Sequence, residues 1–206
     1  FTNIKICLLF NNEKKILIFI PSIEDGGVEK NLFEVSSYLN KNKISLEILT
    51  CNNNMSVKFS KGIKFTGSKN VFWQKQYKSI KYIVCLFLLF FYLINKKKKP
   101  LVFAFQANIY AVIIAKILNT KIITRSNSAP SGWSQNIIKK LVYKFLINLA
   151  DDVMVNSIEF KKSFEKKFNR QVTCIYNPFN KSFIRNKLKD KKKIKFFKKN
   201  YLNIIT

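Results

Sequence analysis

The chain has 206 residues, of which 48% are hydrophobic, and a formal charge of +27 from 38 Lys and Arg against 11 Asp and Glu. This length and apolar content support one packed domain and exclude an intrinsically disordered protein. Histidine is absent, which excludes His-ligated zinc sites and Ser-His or Cys-His catalytic pairs.

The positive charge has two interpretations. Lysine far outnumbers arginine, and Asn, Ile and Phe are abundant, as an A/T-rich genome would encode whatever the function. The alternative is a polyanionic partner, either an anionic membrane surface or a nucleic acid. Arginine is scarce and no RNA-binding signature is present. We therefore expect no nucleic-acid partner and favour anionic lipid.

A strand and a glycine-tipped helix open the regular structure. Apolar residues occupy Ile16–Ile20, Pro21 ends the run, and a polar loop closes on Gly26 and Gly27. The helix N-terminus that follows carries unpaired N–H groups that attract anions, and the missing side chains let a ligand come close. A tight turn without a ligand explains the two glycines equally well.

The first helix has one apolar stripe. Its members recur at offsets of 0, 4, 7 and 11, and Glu29 is among the residues expected to face elsewhere. This spacing predicts a helix with one side on the core. The stripe is Val28, Leu32, Val35 and Leu39.

Strands and helices alternate along the rest of the chain. The further predicted strands are Ser45–Thr50, Ile63–Phe65, Leu101–Phe105, Lys121–Thr124, Asp152–Val155 and Val172–Tyr176. The further predicted helices are Phe72–Asn95, Asn108–Leu118, Trp133–Ala150 and one capped by Asn156. This alternation predicts an α/β fold with a Rossmann-like, doubly wound parallel sheet. Ligands bind such sheets at the carboxyl ends of the strands, which are here the loops after Ile20, Phe105, Thr124 and Val155.

Two of the predicted helices carry specific expectations. The 133–150 helix is expected to bury the stripe Ile137, Leu141, Phe145 and Leu149. The 72–95 helix contains the uninterrupted apolar run Tyr82–Ile94, which the lysine cluster Lys96–Lys99 follows. This run is too short for a transmembrane helix, which needs about 20 residues. It predicts either a helix packed on the sheet or one that lies in the bilayer interface.

Five segments together carry a family resemblance. They are 21–32 with its sequel 46–50, then 103–111, 123–128, 150–157 and 174–178. In order and spacing they are similar to motifs of the family 4 glycosyltransferases. Those enzymes have the GT-B fold, in which two Rossmann-like halves face each other across a cleft, and they transfer sugars with retention of anomeric configuration.

The resemblance assigns roles to a few residues. It implies that Gly26 and Gly27 lie near the donor diphosphate and the acceptor. It implies that Gln106 and Asn108 belong to a strand end that faces the acceptor, and that Arg125 and Asn127 form an Arg-Asn turn against substrate. A structural role, in a helix cap or a carboxylate pair, remains an equal alternative for Arg125. For Gln106 and Asn127 the alternative is a polar turn former.

The same resemblance implies the chemistry of the whole enzyme. The donor is a nucleotide diphosphate-sugar, the acceptor is lipid-linked or a polysaccharide, and a hexosyl group is transferred. No metal or other cofactor is expected, because backbone N–H groups and cationic side chains stabilise the leaving diphosphate. The family places a histidine in the acceptor loop of many members, so its absence leaves the catalytic residue unnamed.

The resemblance also divides the chain. Residues 1–15 form an unassigned extension, 16–180 the acceptor-side domain, 181–200 a basic linker and 201–206 the start of a donor-binding half. Since most donor contacts in the family come from that second half, we expect a fragment that is inactive alone. The alternative function is a non-catalytic Rossmann-like module that binds an anionic membrane surface.

Cysteine usage bears on localisation. Cys7, Cys51, Cys85 and Cys174 are scattered, with no CxxC pair, and no secretory signal precedes the first strand. These features predict a reduced, cytoplasmic protein. The lysine clusters add the expectation of a peripheral position on the inner face of the membrane.

Overall fold

One sheet of seven parallel strands forms the centre of the computed structural model, which describes residues 15–24, 26–51, 56, 59–68, 70–128, 136–178 and 185. The strand order is β3-β2-β1-β4-β5-β6-β7. The strands are β1 (Lys15–Phe19), β2 (Ser45–Thr50), β3 (Lys64–Gly67), β4 (Leu101–Ala104), β5 (Ile122–Ser126), β6 (Asp152–Val155) and β7 (Thr173–Cys174). Because every neighbouring pair is parallel, all carboxyl ends lie at the same edge.

Helices cover both faces of this sheet. They are α1 (Gly27–Lys41), α2 (Val71–Gln74), α3 (Lys78–Ile94), α4 (Asn108–Ile117), α5 (Ile137–Leu149) and α6 (Ile158–Phe168). The buried stripe of α1 packs with one set of strand residues, and α3, α4, α5 and α6 contribute to the core on the other face. The sheet is therefore doubly wound, as predicted.

Strand β1 explains why its sequence is continuously apolar. Ile16 and Ile18 join the core beneath α1, whereas Leu17 and Phe19 join the opposite core. A strand that is covered on both faces has no solvent-facing positions, so it lacks the alternation of a half-exposed strand.

Most predicted elements are present, and one is divided. The predicted helix Phe72–Asn95 is two helices, α2 and α3, because Tyr77 has an extended backbone with φ −58° and ψ 153°. Neither proline nor glycine lies at this break, so the sequence offered no signal for it. The predicted start of the 133–150 helix lies outside the described residues, and α5 is described from Ile137.

The predicted core stripe of α5 is wrong. Ile137, Leu141 and Phe145 are 73%, 63% and 64% exposed, and the buried residues are Leu146 and Ile147. The reason is that α5 is apolar on almost every side. Its periodicity therefore did not identify which side faces the sheet.

Helix α3 packs on the sheet, which was one of its two predicted interpretations. Cys85, Leu89 and Leu93 are fully buried there, but Phe87 and Phe91 remain 62% and 56% exposed. Within the described residues, none of the helices combines the length and the apolar character needed to cross a membrane.

A buried carboxylate joins three strands to α3 at the edge opposite the carboxyl ends. Glu47 of β2 is 1% exposed and lies 2.5 Å from Lys15 Nζ. Its oxygens accept hydrogen bonds from Thr66 Oγ1 at 2.5 Å and Tyr92 Oη at 2.6 Å. Burial raises the pKa of Glu47, but these three donors outweigh it and lower the pKa to about 2.

Candidate functional site

The glycine turn lies at the end of the loop that connects β1 to α1. Gly26 is the N-cap of α1, and within the described residues no side-chain hydrogen bond caps the helix there. A Cβ atom on Gly26 would lie 2.6 Å from Glu29 Oε2, whereas one on Gly27 would meet nothing within 4 Å. Gly26 therefore makes room for the Glu29 carboxylate. Gly27 leaves the positive end of the helix open to an outside group.

A chain of side-chain hydrogen bonds connects this turn to the end of β4. Gln106 Nε2 donates to Glu29 Oε1 at 3.4 Å, and Tyr82 Oη donates to Gln106 Oε1 at 3.2 Å. The backbone N–H of Glu24 also donates to Glu29 Oε1, at 3.4 Å. The structure thus brings Gln106 to the glycine turn, and the acceptor contact implied for Gln106 stays a prediction. Its partner Glu29 is 5% exposed, so the prediction that Glu29 faces elsewhere is wrong.

The residue after Gln106 has an unusual backbone. Ala107 has φ 52° and ψ 34° and precedes the first residue of α4. Left-handed backbone at a residue other than glycine is strained, and such strain collects at functional sites. The strain here falls in the loop between β4 and α4, at the edge of the sheet where ligands bind.

Arg125 forms the centre of a second group, at the end of β5. Its side chain is 1% exposed. Nε donates to Asn127 Oδ1 at 3.2 Å, and one terminal nitrogen donates to Asn177 Oδ1 at 2.7 Å. The other terminal nitrogen, Nη1, is buried without a hydrogen-bond partner among the described residues. The guanidinium carbon lies 5.3 Å from the centre of the Phe105 ring.

Charge is the distinctive property of this second group. Neither the hydrogen bonds nor the ion pairs of Arg125 in the described part of the chain involve a carboxylate, so the predicted alternative of a carboxylate pair does not describe it. Burial lowers the pKa of Arg125 to about 10, and the guanidinium stays charged at neutral pH. A buried cation that has no carboxylate partner among the described residues, at the carboxyl ends of the strands, is suited to an anionic ligand.

Asn108 and Asn127 also lie in this group, but their amides bind protein atoms. Asn108 Nδ2 donates to the Arg125 carbonyl at 2.7 Å, and Asn127 Nδ2 donates to the Phe105 carbonyl at 3.5 Å. Asn108 Oδ1 is buried without a partner among the described residues. These two amides position the β4 and β5 ends relative to each other.

An open pocket lies over these residues. Its lining includes Phe105, Asn108, Tyr110, Arg125 and Asn127. Phe105 contacts Arg125, and its neighbour Gln106 contacts Glu29. The dipeptide Phe105-Gln106 therefore connects this pocket to the glycine turn. The sequence missed Glu29, Tyr82 and Asn177 as members of the site. The motif segments 21–32, which contains Glu29, and 174–178, which contains Asn177, were the only signals for any of them.

The comparisons with known proteins give a fold but no family. No protein-family model matches the sequence, and no curated protein matches it. Solved structures of the Anabaena protein Alr3699/HepE do match. The complex with UDP and glucose is 18% identical with a TM-score of 0.57, and the complex with UDP-glucose is 15% identical with a TM-score of 0.53. The complex with UDP is 17% identical with a TM-score of 0.55.

The likeness covers most of this chain and about half of the other. Each match spans 85% of this chain and 50% of the Anabaena chain. The fold is glycosyltransferase-like. The predicted fold class, a Rossmann-like doubly wound parallel sheet that forms half of a GT-B fold, is confirmed. Membership of family 4 stays a prediction.

Proposed function

We propose that this chain is the acceptor-side half of a family 4 retaining glycosyltransferase. The reaction moves a hexosyl group from a nucleotide diphosphate-sugar to a lipid-linked or polysaccharide acceptor. The observation that carries the proposal is the meeting of the motif residues at one sheet edge, with Gly26, Gly27 and Gln106 in one group and Arg125 with Asn127 in the next. The likeness to a protein solved with UDP and glucose supports it.

In this proposal the glycine turn receives the donor diphosphate. The first N–H groups and the positive end of α1 lie at Gly27, which is exposed and where an added Cβ would meet nothing within 4 Å. As the acceptor oxygen bonds to the anomeric carbon, the bond to the diphosphate breaks and the departing phosphate oxygen takes the acceptor's proton. This route requires no protein base, which agrees with a chain that has no histidine.

Arg125 and Gln106 would hold the acceptor. The guanidinium supplies a permanent positive charge for an anionic group, and the Gln106 amide is oriented by Glu29 and Tyr82. Contacts to the nucleotide base and the donor sugar would come from a second half, since the chain spans about half the length of the matched structures.

A transfer assay tests this proposal. The protein is expressed from its gene with all adjoining coding sequence and incubated with labelled nucleotide-sugars, UDP-glucose first, and with lipid and polysaccharide extracts of the same cells. We expect a labelled product in which the anomeric configuration is retained. Absence of transfer from every donor tried would overturn the proposal.

A matched pair of variants ties the activity to the glycine turn. Gly27→Val fills the space in front of the helix end, and we expect it to abolish transfer without lowering the melting temperature. Lys30→Val places the same side chain at another exposed position of α1 and should leave transfer unchanged. Normal turnover by Gly27→Val would contradict the role given to the turn.

The alternative function, a non-catalytic module on an anionic membrane, is supported by a different observation. Helices α3, α4 and α5 contain no Asp or Glu, although they carry lysines. Membrane attachment is compatible with either function, and the surface responsible can be identified separately.

A further inference from the structure

Helices α3, α4 and α5 present an apolar surface on the side that faces away from the sheet. They pack against each other in chain order. Together they carry twelve of the seventeen large hydrophobic side chains that are exposed among the described residues. Single exposed apolar side chains are normal, but such a concentration marks an interaction surface.

Helix α3 is apolar on two opposite sides. Cys85, Leu89 and Leu93 face the sheet and are fully buried, while Phe87 and Phe91 on the other side are 62% and 56% exposed. An open groove runs between α3 and α4, and its lining among the described residues is apolar: Ile83, Leu86, Phe87, Phe90, Phe91 and Ile114. An amphipathic surface helix would carry polar residues on that outer side.

Helix α5 continues the same surface. Its buried residues, Leu146 and Ile147, face the core, and the opposite side exposes Ile138 by 71% and Phe145 by 64%. The lysines of α5 lie beside this apolar side, since Lys139 and Lys144 are also exposed.

The charge of the surface has one sign. None of the three helices contains an acidic residue. The cluster Lys96–Lys99 follows α3 directly, and Lys139, Lys140 and Lys144 lie on α5. Lys116 of α4 differs, because Asp151 pairs with it at 2.6 Å. An apolar centre bordered by lysines complements an anionic bilayer, whose acyl chains lie beneath phosphate headgroups.

We propose that this surface seats the protein on an anionic phospholipid bilayer. The outer side chains of α3 and α5 enter the interface, and the surrounding lysines contact the headgroup phosphates. The helices then lie in the interface plane and none of them spans the membrane. Membrane binding here does not depend on sugar transfer, because the surface is formed by helices that cover one face of the sheet and the candidate site is at its carboxyl edge.

Vesicle sedimentation of the full chain tests the proposal. Vesicles contain either phosphatidylglycerol mixed with phosphatidylcholine or phosphatidylcholine alone. The test variant is the double substitution Phe87→Ser with Phe145→Ser, which leaves the net charge unchanged. The matched control is Phe72→Ser with Ile158→Ser, at exposed positions of α2 and α6. Circular dichroism melts verify that both variants fold.

We expect the wild type and the control to sediment with phosphatidylglycerol vesicles and the test variant to bind at least tenfold more weakly. Some wild-type binding should persist at about 1 M NaCl, where the Debye length is about 3 Å. A second variant, Lys97→Glu with Lys98→Glu, should lose binding at low salt. Equal binding by test and control variants would overturn the proposal, because charge alone would then suffice.

Three further outcomes would also overturn it. The first is equal binding to both kinds of vesicle by every variant, and the second is no binding at all. The third is a dimer in analytical ultracentrifugation that the test variant dissociates while vesicle binding is absent, since a second copy would then be the occupant. None of these measurements involves a sugar donor, so their failure is separate from failure of the proposed transfer.

Discussion

Arg125 combines a structural and a ligand-binding arrangement in one residue. Its bonds to Asn127 and Asn177 connect the ends of β5 and β7, and Phe105 covers its guanidinium. One terminal nitrogen nevertheless remains without a partner among the described residues. A purely structural arginine would be expected to use its donors fully, because a buried unpaired donor is costly.

Substitutions of Arg125 separate these two roles. Arg125→Ala should lower the free energy of unfolding by about 2–4 kcal/mol, since it opens a cavity and leaves two amide oxygens unpaired. Transfer should weaken, through a KM that is raised tenfold or more or a kcat that is lowered tenfold or more. Arg125→Lys keeps the positive charge but lacks the planar guanidinium. Compared with Arg125→Ala, this variant should therefore regain more of the stability than of the activity. Loss of stability with normal kinetics in the folded fraction would leave only the structural role.

Substitutions at the two glycines should have different local effects. The space at Gly26 is limited by the end of a flexible side chain, so Gly26→Ala should displace the Glu29 carboxylate and change stability by no more than about 1 kcal/mol. Gly27→Ala should displace nothing. The side-chain amide resonance of Gln106 in NMR spectra reports the difference, because Glu29 accepts its hydrogen bond. A larger shift in Gly27→Ala than in Gly26→Ala would contradict this geometry.

The site was predictable only where residues follow strands closely. Gln106 and Arg125 come at the carboxyl ends of apolar runs, so the parallel sheet places them at one edge. Glu29 lies on a helix, where its neighbours along the chain indicated an outward position. Its burial depends on the tertiary approach of Gln106, which is 77 residues away. Local periodicity contains no information about such an approach.

At the scale of elements, Glu47 connects β1, β2, β3 and α3. Its pKa of about 2 in the folded protein is below the ordinary value of 4.5. A lowered folded-state pKa contributes stability that is fully present above the unfolded pKa and is lost as the pH falls through the folded pKa. The stabilisation should therefore disappear between about pH 4.5 and pH 2.

Glu47→Gln tests this connection. At neutral pH we expect the substitution to cost about 3 kcal/mol, the value of a shift of this size. The loss of stability on acidification should be shallower than in the wild type. Urea unfolding across this pH range measures both effects, and Glu159→Gln, at an exposed carboxylate, should change them far less. If the free energy of unfolding depended on pH in the same way in wild type and Glu47→Gln, the role given to Glu47 would be contradicted.

Helices α1 and α5 show what periodicity can predict about elements. In α1 the polar residues leave only one apolar stripe, and Leu32, Val35 and Leu39 are buried as predicted. In α5 the run from Ile137 to Leu149 is apolar in several directions, so several stripes fit equally. Packing against the sheet determines which side of α5 is buried, and this packing is a tertiary contact that the local sequence does not specify. The strands were easier to predict from sequence, because a strand that is buried on both faces has no exposed side to identify.

The whole molecule is dominated by unbalanced positive charge. With 38 basic and 11 acidic residues, at least 27 basic side chains cannot have a carboxylate of their own. Pairs such as Lys15–Glu47 and Lys116–Asp151 are favourable, but repulsion among the remaining lysines opposes compaction. Added salt screens both the attraction and the repulsion, and exposed charges are screened more than buried ones.

We expect the repulsion to respond more strongly to salt than the ion pairs, because the strongest pair involves the buried Glu47, while most lysines on the described surface are exposed. Raising NaCl from about 0.01 M to about 0.1 M shortens the Debye length from about 30 Å to about 10 Å. The melting temperature should then rise by about 2–4 °C, equivalent to about 1 kcal/mol for a chain of this size. Choline chloride should act alike if screening is the cause. A melting temperature that falls with salt would mean that ion pairs outweigh repulsion, and the charge of this protein would then contribute to its stability.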